Sequence, residues 1–360
     1  MIGWMLGGAC FLIQLYFQIW LWRGMRKLSQ QSPKKTRPSS PVSVIIAAHN
    51  EEQSLPELLR ILSEQTLPNN QFEIILAADR CTDATVQIAR SFQQQLPNLR
   101  IIDISSTPKN ISPKKNALQL AINDATFSRL VFLDADVLPT RNHLQTMQQF
   151  FDDGSAAIVS LMRLRQPKNV WENFLVFEKL ISWCIAAAGV GFGKPVISYG
   201  GNWAYTRDAF EQVGGFGSII DSLSGDDDLL LQKFGSAGLP IAFCSDPNGW
   251  VTMEPPESFA HFLRQRRRHF SAGKRYSTSL QTGYFFYHAS NLGIWLSPLF
   301  HFPAIALLIA KLLIDGYLLH RGGKRFRVSL SAAKQLLFNF GYLVYNTLVG
   351  PLGHIGKIRW

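Results

Sequence analysis

The sequence is short of cysteine and of acidic residues. Its 360 residues include four cysteines, which are scattered and form no C-x-x-C pair. This spacing indicates neither a zinc site nor a disulfide framework. The 25 acidic residues are outnumbered by 36 lysines and arginines, which gives a net charge of +11. That surplus points to nucleic acid, an anionic substrate or the inner face of a membrane as a partner.

The first segment of the chain lacks charge altogether. Residues 1–22 contain no charged side chain, and about 20 apolar residues are enough to cross a bilayer. No basic residue precedes this segment and no small-residue cleavage pattern ends it, so a cleaved signal peptide fits poorly. Residues 23–40 are basic and rich in proline and serine. They predict a linker on the cytosolic side, because basic residues flanking a span stay in the cytosol.

A second apolar region covers residues 284–352. Residues 284–319 are about twice as long as one short span, which predicts two transmembrane helices that turn near His301. A further apolar stretch follows the basic "RGGKRFR", so about three C-terminal transmembrane helices are expected and their number stays open. Lys311 and Asp315 lie one helical turn apart in this region. They either pair inside the membrane or line a path for a polar substrate.

Residues 41–280 are more polar and alternate between strand and helix patterns. The strand segments "VSVIIAA", "FEIILAA" and "RLVFLD" are almost continuously apolar. Such strands predict an α/β fold with a Rossmann-like, mostly parallel sheet that is covered on both faces. Ligands bind such sheets at the carboxyl ends of the strands. The polar residues that follow the strands are His49, Asn50, Glu51, Asp79, Asp134 and Asp136.

The motif "DAD" places two carboxylates at the end of one apolar strand. Asp134 and Asp136 repel each other at this spacing, and a hard cation such as Mg²⁺ or Mn²⁺ would relieve the repulsion. Such an ion usually keeps several waters and also binds substrate phosphates. The motif therefore predicts a metal site for a diphosphate-bearing substrate. Solvated surface acids are the alternative, because a lone D-x-D occurs by chance in many loops.

Two charged clusters lie further along the chain. "GDDDLLLQK" places Asp226, Asp227 and Asp228 before an apolar helical run. Capping of a helix explains such acids, but three exceed what a cap needs, so one is a candidate general base. In "FLRQRRRHFSAGKR", four arginines could clamp a leaving diphosphate or attract anionic lipid. Both roles are expected, because this segment directly precedes the apolar C-terminal region.

These motifs, in this order, resemble those of the membrane-bound inverting glycosyltransferases of family 2. That group contains the cellulose, hyaluronan and chitin synthases and many smaller bacterial enzymes. The resemblance implies a glycosyltransferase A-type fold and a nucleotide-diphosphate sugar donor. It also implies a divalent metal and a lipid-linked or glycan acceptor. No nucleic-acid partner is expected, because the positive charge clusters beside the apolar spans rather than over the sheet face. The protein would be an integral protein of the bacterial inner membrane with its catalytic domain in the cytosol.

The resemblance also assigns residues. The residues expected to contact the nucleotide sugar are His49, Asn50, Glu51, Asp79, Lys115, Asp134 and Arg267. Asp134 and Asp136 resemble the metal motif, and Asp227, next to Asp226, resembles the catalytic base. Gln265 and Arg268 match the family's Gln-x-x-Arg-Trp motif. Asn202 and His269 fall on the acceptor side.

His269 replaces the tryptophan that resembles a stacking platform for a growing polymer. Histidine offers a smaller face, so the sequence predicts one or a few sugar additions rather than a long polymer. A processive polysaccharide synthase and a non-catalytic, membrane-anchored nucleotide-sugar-binding protein are the alternatives. The predicted domains are a transmembrane helix over 1–22, the linker over 23–40, a cytosolic glycosyltransferase domain over 41–280 and a transmembrane region over 284–352.

Overall fold

The computed structural model describes residues 2–28 and 40–354, so most of the predicted linker lies outside the described residues. The chain forms two compact units. The first, here called the sheet unit, comprises Ser29–Gln166 and Phe192–Pro255. The second, the helical unit, comprises Met1–Leu28, Pro167–Gly191 and Pro256–Trp360.

The sheet unit contains a seven-stranded sheet and a three-stranded sheet. The strands are β1 (Val42–Ala48), β2 (Phe72–Asp79), β3 (Leu99–Ile104), β4 (Arg129–Asp134), β5 (Val137–Pro139), β6 (Ala157–Val159), β7 (Met162–Leu164), β8 (Asn202–Thr206), β9 (Ile241–Phe243) and β10 (Val251–Met253). The large sheet has the order β3-β2-β1-β4-β8-β6-β9, and the small one has the order β5-β10-β7. Strands β1 to β4 are parallel to one another, whereas β8 is antiparallel to β4 and β6. This confirms the predicted fold class.

The register aligns the carboxyl ends of the central strands. Ala47 of β1 lies opposite Asp134 of β4, and Ala48 lies opposite Ala78 of β2. The polar residues that follow β1, β2 and β4 therefore meet at one edge of the sheet, as the sequence predicted.

Helices cover the sheet and build the helical unit. Those of the sheet unit are α2 (Leu55–Ser63), α3 (Thr85–Phe92), α4 (Pro113–Asp124), α5 (His143–Asp152), α7 (Arg207–Gln212) and α8 (Asp228–Ser236). Those of the helical unit are α1 (Ile2–Leu28), α6 (Val170–Gly191), α9 (Phe259–Ala272), α10 (Thr278–Phe300), α11 (Ile305–Phe326) and α12 (Ala332–Val349).

Helix α2 shows how the covering helices are stabilised. Leu55, Leu58, Leu59 and Leu62 recur at helical spacing and are fully buried. Burying one leucine contributes about 1.5–3 kcal/mol, so this single face anchors the helix to the sheet.

Three helices are long and apolar enough to cross a membrane, judged by length and composition within the described residues. They span Gly3–Leu28, Val170–Gly191 and Phe302–Phe326. The first continues beyond the predicted end at residue 22, because the helix runs on through the basic residues to Leu28. Helices also occupy the other two predicted C-terminal positions, as α10 and α12, and the predicted turn near His301 lies between α10 and α11.

Helix α6 was not predicted as a separate element. It lies inside the segment 41–280 that the sequence assigned to one domain, but it belongs to the helical unit together with the chain from Pro256 onward. Its charged residues Glu172, Glu178 and Lys179 all lie in its first half, and the helix as a whole is still apolar enough to be a candidate span. The compact units therefore divide the chain differently from the predicted domains.

Small residues bring helices of this unit into close contact. A side chain at Gly24 of α1 would place its Cβ 2.6 Å from the carbonyl oxygen of Ala188 on α6, and Gly191 also abuts Gly24. On the other half of α1, a Cβ at Gly7 would lie 3.2 Å from Ser297 of α10. Such small-residue contacts let helix backbones approach each other.

A polar cluster joins α1, α10 and α11. The Lys311 ammonium lies 2.6 Å from the Asp315 carboxylate, and the Gln18 amide donates to Asp315 at 2.7 Å. One turn away, the Gln14 amide donates to the Ser290 hydroxyl at 2.8 Å. Lys311 and Asp315 thus pair with each other, and the location of this pair inside the membrane remains a prediction.

Candidate active site

The loops after β1 and β2 are tied together at the carboxyl edge of the sheet. Asn50 adopts a left-handed backbone conformation with φ of 57°, and its side-chain oxygen accepts from the backbone N–H of Thr82 at 2.8 Å. The His49 ring nitrogen Nδ1 lies 2.6 Å from the carbonyl oxygen of Asp79. These contacts build a rim in which the predicted nucleotide residues of both loops are adjacent.

Asp79 ends β2 and is buried. Its carboxylate accepts two hydrogen bonds from the Arg80 guanidinium, at 2.9 and 2.8 Å, and Arg80 itself has a φ of 49°. A two-point pair of this kind is strong and directional. It holds the Asp79 carboxylate in place, and contact with a nucleotide remains a prediction.

The acidic residues of the site converge on two glycines, Gly200 and Gly201. A Cβ at Gly201 would lie 2.5 Å from an Asp134 carboxylate oxygen. A Cβ at Gly200 would lie 3.3 Å from oxygens of both Asp226 and Asp227. The glycine pair is therefore the spacer that lets the acid ending β4 approach the acids that precede α8.

Lys114 neutralises part of this acidic cluster. Its ammonium lies 2.8 Å from Asp134 and 3.4 Å from Asp226. Burial opposes the charged form, but the two carboxylates outweigh it and raise the pKa of Lys114 above its ordinary value. The lysine therefore stays protonated and bridges the two acidic motifs.

Lys115 was the lysine predicted to contact the nucleotide, and that contact remains a prediction. It is fully buried, and its ammonium donates to the carbonyl oxygens of Ser222 and Ser224 at 2.5 and 2.9 Å. Adjacent residues of a helix point about 100° apart, so the two lysines contact different partners, although the charge of Lys115 also reaches Asp226. Lys115 instead anchors the loop that leads into "GDDD".

The three acids of "GDDD" have separate contacts. Asp228 accepts from the backbone N–H of Ser198 at 2.7 Å. Asp227 accepts from the N–H of Gly200 and from the N–H of Asp228, both at 2.7 Å, and so caps α8. Two acids thus fix the loop that carries the glycine pair, while Asp226 faces the cation of Lys114.

The pKa values of Asp226 and Asp227 are shifted in opposite directions. Burial, followed by the charge of Asp226, raises the pKa of Asp227 to about 6. Burial also acts on Asp226, but the positive charges of Lys114 and Lys115 outweigh it and lower the pKa of Asp226. Two carboxyl groups whose environments separate their pKa values are typical of an acid–base site. Asp227 is the more basic of the two and suits proton abstraction near neutral pH.

The donor set of the predicted metal site consists of carboxylate oxygens. Desolvation, followed by the charge of Asp134, raises the pKa of Asp136 to about 6 even though solvent reaches this residue. A hard cation would relieve this crowding of negative charge. Within residues 2–28 and 40–354, no three His, Cys, Asp or Glu side chains are grouped to hold a metal by themselves. Asp134 and Asp136 therefore fit a Mg²⁺ or Mn²⁺ ion that takes further ligands from substrate oxygens and water.

Asn202 was predicted on the acceptor side, but its amide is used inside the fold. The residue is fully buried at the start of β8. Its amide nitrogen donates to the carbonyl oxygens of Leu161 and Gly249 at 2.7 and 3.0 Å, and its oxygen lies 2.9 Å from His143 Nε2. Burial lowers the pKa of His143 to about 4, so this histidine is neutral. The site is lined instead by the two glycines that precede Asn202.

The motif "QRRRH" lies on α9 in the helical unit. Arg266 forms an ion pair with Glu178 of α6 at 2.5 Å, so one of the four arginines predicted to clamp a diphosphate has a partner within this unit. The Arg267 side chain donates to the carbonyl oxygen of Leu352 at 3.3 Å. The predicted roles of Gln265, Arg267, Arg268 and His269 in the reaction remain predictions.

Comparison with family models identifies the chain. The model for Glycosyl transferase family 2 matches residues 43–214, and the model for Glycosyl transferase family group 2 matches residues 130–351. The second match covers more than half of the chain. The protein is a family 2 glycosyltransferase. The acidic cluster of this glycosyltransferase lies within the matched segments.

Curated relatives and a solved structure are similar to this glycosyltransferase. The probable glycosyltransferase YdaM of Bacillus subtilis is 25% identical over 65% of this chain and 55% of its own length. Glycosyltransferase AglE of Haloferax volcanii is 25% identical over 63% of this chain and 71% of its own length. The chain thus matches little more than half of YdaM. The mannosyltransferase PcManGT from Pyrobaculum calidifontis, solved with GDP-Man and Mn²⁺, covers 98% of this chain and 95% of its own with a TM-score of 0.58. At 20% identity this likeness shows the fold alone.

Proposed function

We propose that this glycosyltransferase moves a sugar, with inversion, from a nucleotide-diphosphate sugar to a membrane-proximal or lipid-linked acceptor. The observation that carries the proposal is the convergence of Asp134, Asp226 and Asp227 around two glycines. Family membership supports a sugar transfer. The complex of PcManGT with GDP-Man and Mn²⁺ supports a metal and a nucleotide-sugar donor.

Each acid has its own task in this proposal. Asp227 takes the proton from the acceptor hydroxyl, because its raised pKa makes it the stronger base of the pair. Asp134 and Asp136 hold the metal, which supplies Lewis-acid neutralisation of the leaving diphosphate when it is bound. Lys114 keeps Asp226 ionised and places a positive charge beside Asp134. A single displacement then inverts the anomeric carbon without a covalent glycosyl-enzyme.

The location follows from the apolar helices. We place the sheet unit in the cytosol and α1, α10 and α11 in the membrane, because basic residues end both α1 and α11. The bacterial inner membrane is the proposed site, and synthesis of a cell-surface glycan or glycolipid is the proposed role. His269 in place of a stacking tryptophan favours short products.

The test is a donor panel with the purified protein in detergent, read out as released nucleoside diphosphate. We expect one class of nucleotide sugar to be turned over, reversible loss of turnover on chelation, and loss of turnover in Asp136→Ala. Asp103→Ala is the matched control, because Asp103 is an exposed acid on β3, the edge strand of the same sheet. Full activity in excess chelator would reject the metal. Binding of a nucleotide sugar without any turnover would favour the non-catalytic alternative.

A further inference from the structure

Helix α12 and the turn that follows it carry an unbroken apolar stripe on their exposed side. The stripe consists of large side chains spaced four residues apart, which are Leu336, Phe340, Val344, Leu348 and Leu352. All five are exposed, whereas Phe338, Leu343, Tyr345 and Val349 on the other side are buried. Exposed apolar side chains also cover α10 and α11, for example Leu299 and Leu313. A stripe of this length marks a surface that is covered by something apolar.

The start of α12 lies close to the basic end of α11. Helix α11 ends at Phe326, and Ser331 already caps α12, so the connection is short. Near this end the Lys334 ammonium lies 3.1 Å from the side-chain oxygen of Asn173 on α6. The first turn of α12 is therefore fixed on the side where α11 ends.

The end of α12 lies on α9. The ring of Tyr345 packs 5.7 Å from that of Phe262 and 6.0 Å from that of Phe270. The Arg267 side chain donates to the carbonyl oxygen of Leu352 at 3.3 Å. Helix α9 packs against α12 and against the turn over residues 351–354 that follows it.

Chain length then fixes the side on which α12 ends. From Arg267 the chain is helical to Ala272 and forms a tight turn over Gly273–Arg275 before α10 begins at Thr278. This path spans at most about 24 Å. Helix α10 has 23 residues and is about 34 Å long, enough for a hydrocarbon core of about 30 Å.

A spanning α12 would need its last turn at the level of Phe300, the far end of α10. The chain between Arg267 and Thr278 is too short to allow this, because Arg267 contacts Leu352. Both ends of α12 therefore lie on the side where α10 begins and α11 ends. The middle of the helix still reaches α10, where the rings of Phe340 and Trp295 are 5.5 Å apart.

We propose that α12 does not cross the membrane but lies in the cytosolic leaflet, with its apolar stripe covered by lipid acyl chains. Amphipathic helices bury such a face about 5–10 Å into the boundary of the acyl region. The inference rests on the membrane insertion of α10 and α11 within the proposed function. It gives the C-terminal region two spans, and it places residue 352 in the cytosol. It also makes α12 the brace of α9, the helix that carries Gln265 and Arg268.

The test is cysteine accessibility in the full-length protein with Cys81 replaced by serine, because the other cysteines are buried. Single cysteines are placed at the exposed positions Ser329 and Pro351, on either side of α12, and at Phe302 in the turn between α10 and α11. A membrane-impermeant maleimide is applied to right-side-out and to inverted vesicles. We expect Ser329→Cys and Pro351→Cys to react at least about tenfold faster in inverted vesicles, and Phe302→Cys to show the reverse.

Each other result has its own meaning. Opposite sidedness of Ser329→Cys and Pro351→Cys would overturn the proposal, because α12 would then span the bilayer. If Phe302→Cys reacts on the same side as Ser329→Cys, α10 and α11 do not cross the membrane, and the proposed location of α12 is then wrong as well. This result would leave the proposed sugar transfer untouched, because donor turnover is measured separately. A spin label at Leu348 should collide several-fold more often with lipid-dissolved oxygen than one at Ser329. Short label-to-label distances between two copies of Leu348→Cys would instead show that a second copy covers the stripe.

Discussion

Substitution of Gly201 by alanine should disable the enzyme without unfolding it. The added Cβ would lie 2.5 Å from a carboxylate oxygen of Asp134 and 2.7 Å from the terminal carbon of Met162. Both atoms are the far ends of flexible side chains, so they can move away at little cost in stability. Gly201 also has no left-handed backbone conformation that alanine would strain.

The size of the effect follows from the displacement. An ordinary contact begins at 3.4 Å, so the Asp134 carboxylate must move by about 0.9 Å. This shift lengthens or breaks its 2.8 Å contact with Lys114 and misplaces one of the two proposed metal ligands. A misplacement of about 1 Å can lower a rate by about 100-fold. We therefore expect kcat for donor turnover to fall by about 100-fold in Gly201→Ala.

The assay is release of nucleoside diphosphate from the donor that the panel identifies, with thermal unfolding measured in parallel. Gly217→Ala is the matched control, because no atom lies within 4 Å of a Cβ there and its backbone is not left-handed. Both variants should unfold within a few degrees of the wild type. Wild-type kcat in Gly201→Ala would refute the argument that the position of Asp134 limits the reaction.

Three further predictions concern single residues. Asp227 acts only when deprotonated and its pKa is about 6, so kcat should fall about tenfold per pH unit below pH 6. In Asp227→Asn, kcat should fall about 100-fold or more at neutral pH while the variant still binds donor. If the decrease of kcat below pH 6 persists in Asp227→Asn, another group causes it. Lys115→Met leaves the carbonyl oxygens of Ser222 and Ser224 without this donor. The substitution should lower the free energy of unfolding by about 1–3 kcal/mol and should lower kcat more than donor affinity. Unchanged denaturation and turnover would contradict the anchoring role of Lys115. Product sizing should show one or a few added sugars, and His269→Trp should bind acceptor at least as well as the wild type; a ladder of long polymer from the wild type would reject the short-product prediction.

Features set by local chain chemistry were predictable from the sequence. The strands that form the centre of the sheet are apolar on both faces, so their type, direction and shared carboxyl edge followed from pattern alone. Asp79 and Asp134 end two of those strands, and the structure brings both to that edge. No knowledge of the tertiary contacts was needed for these positions.

Features set by rotation about a helix or by long-range packing were not predictable. Lys114 and Lys115 are chemically identical neighbours, and only the orientation of α4 decides which one faces Asp134. Asn202 looks like a polar residue near a glycine-rich turn, yet its amide is hydrogen-bonded to His143 Nε2 and to two carbonyls that are distant in sequence. Helix α6 belongs to the helical unit through its packing against α1 and α11, which are distant from it in sequence.

The helical unit draws on three separate stretches of the chain, and this constrains the order in which the protein can be made. Helix α1 is synthesised first, but the partners of its polar residues Gln14 and Gln18 lie on α10 and α11, more than 270 residues later. Until those helices emerge, two amides in an apolar helix lack these partners, whereas the sheet unit is already almost complete by Pro255. Contacts this distant in sequence form slowly. A ribosome-bound chain therefore passes through a stage in which the sheet unit is folded while α1 still lacks its contacts with α10 and α11. A chain truncated before α10 would remain at that stage.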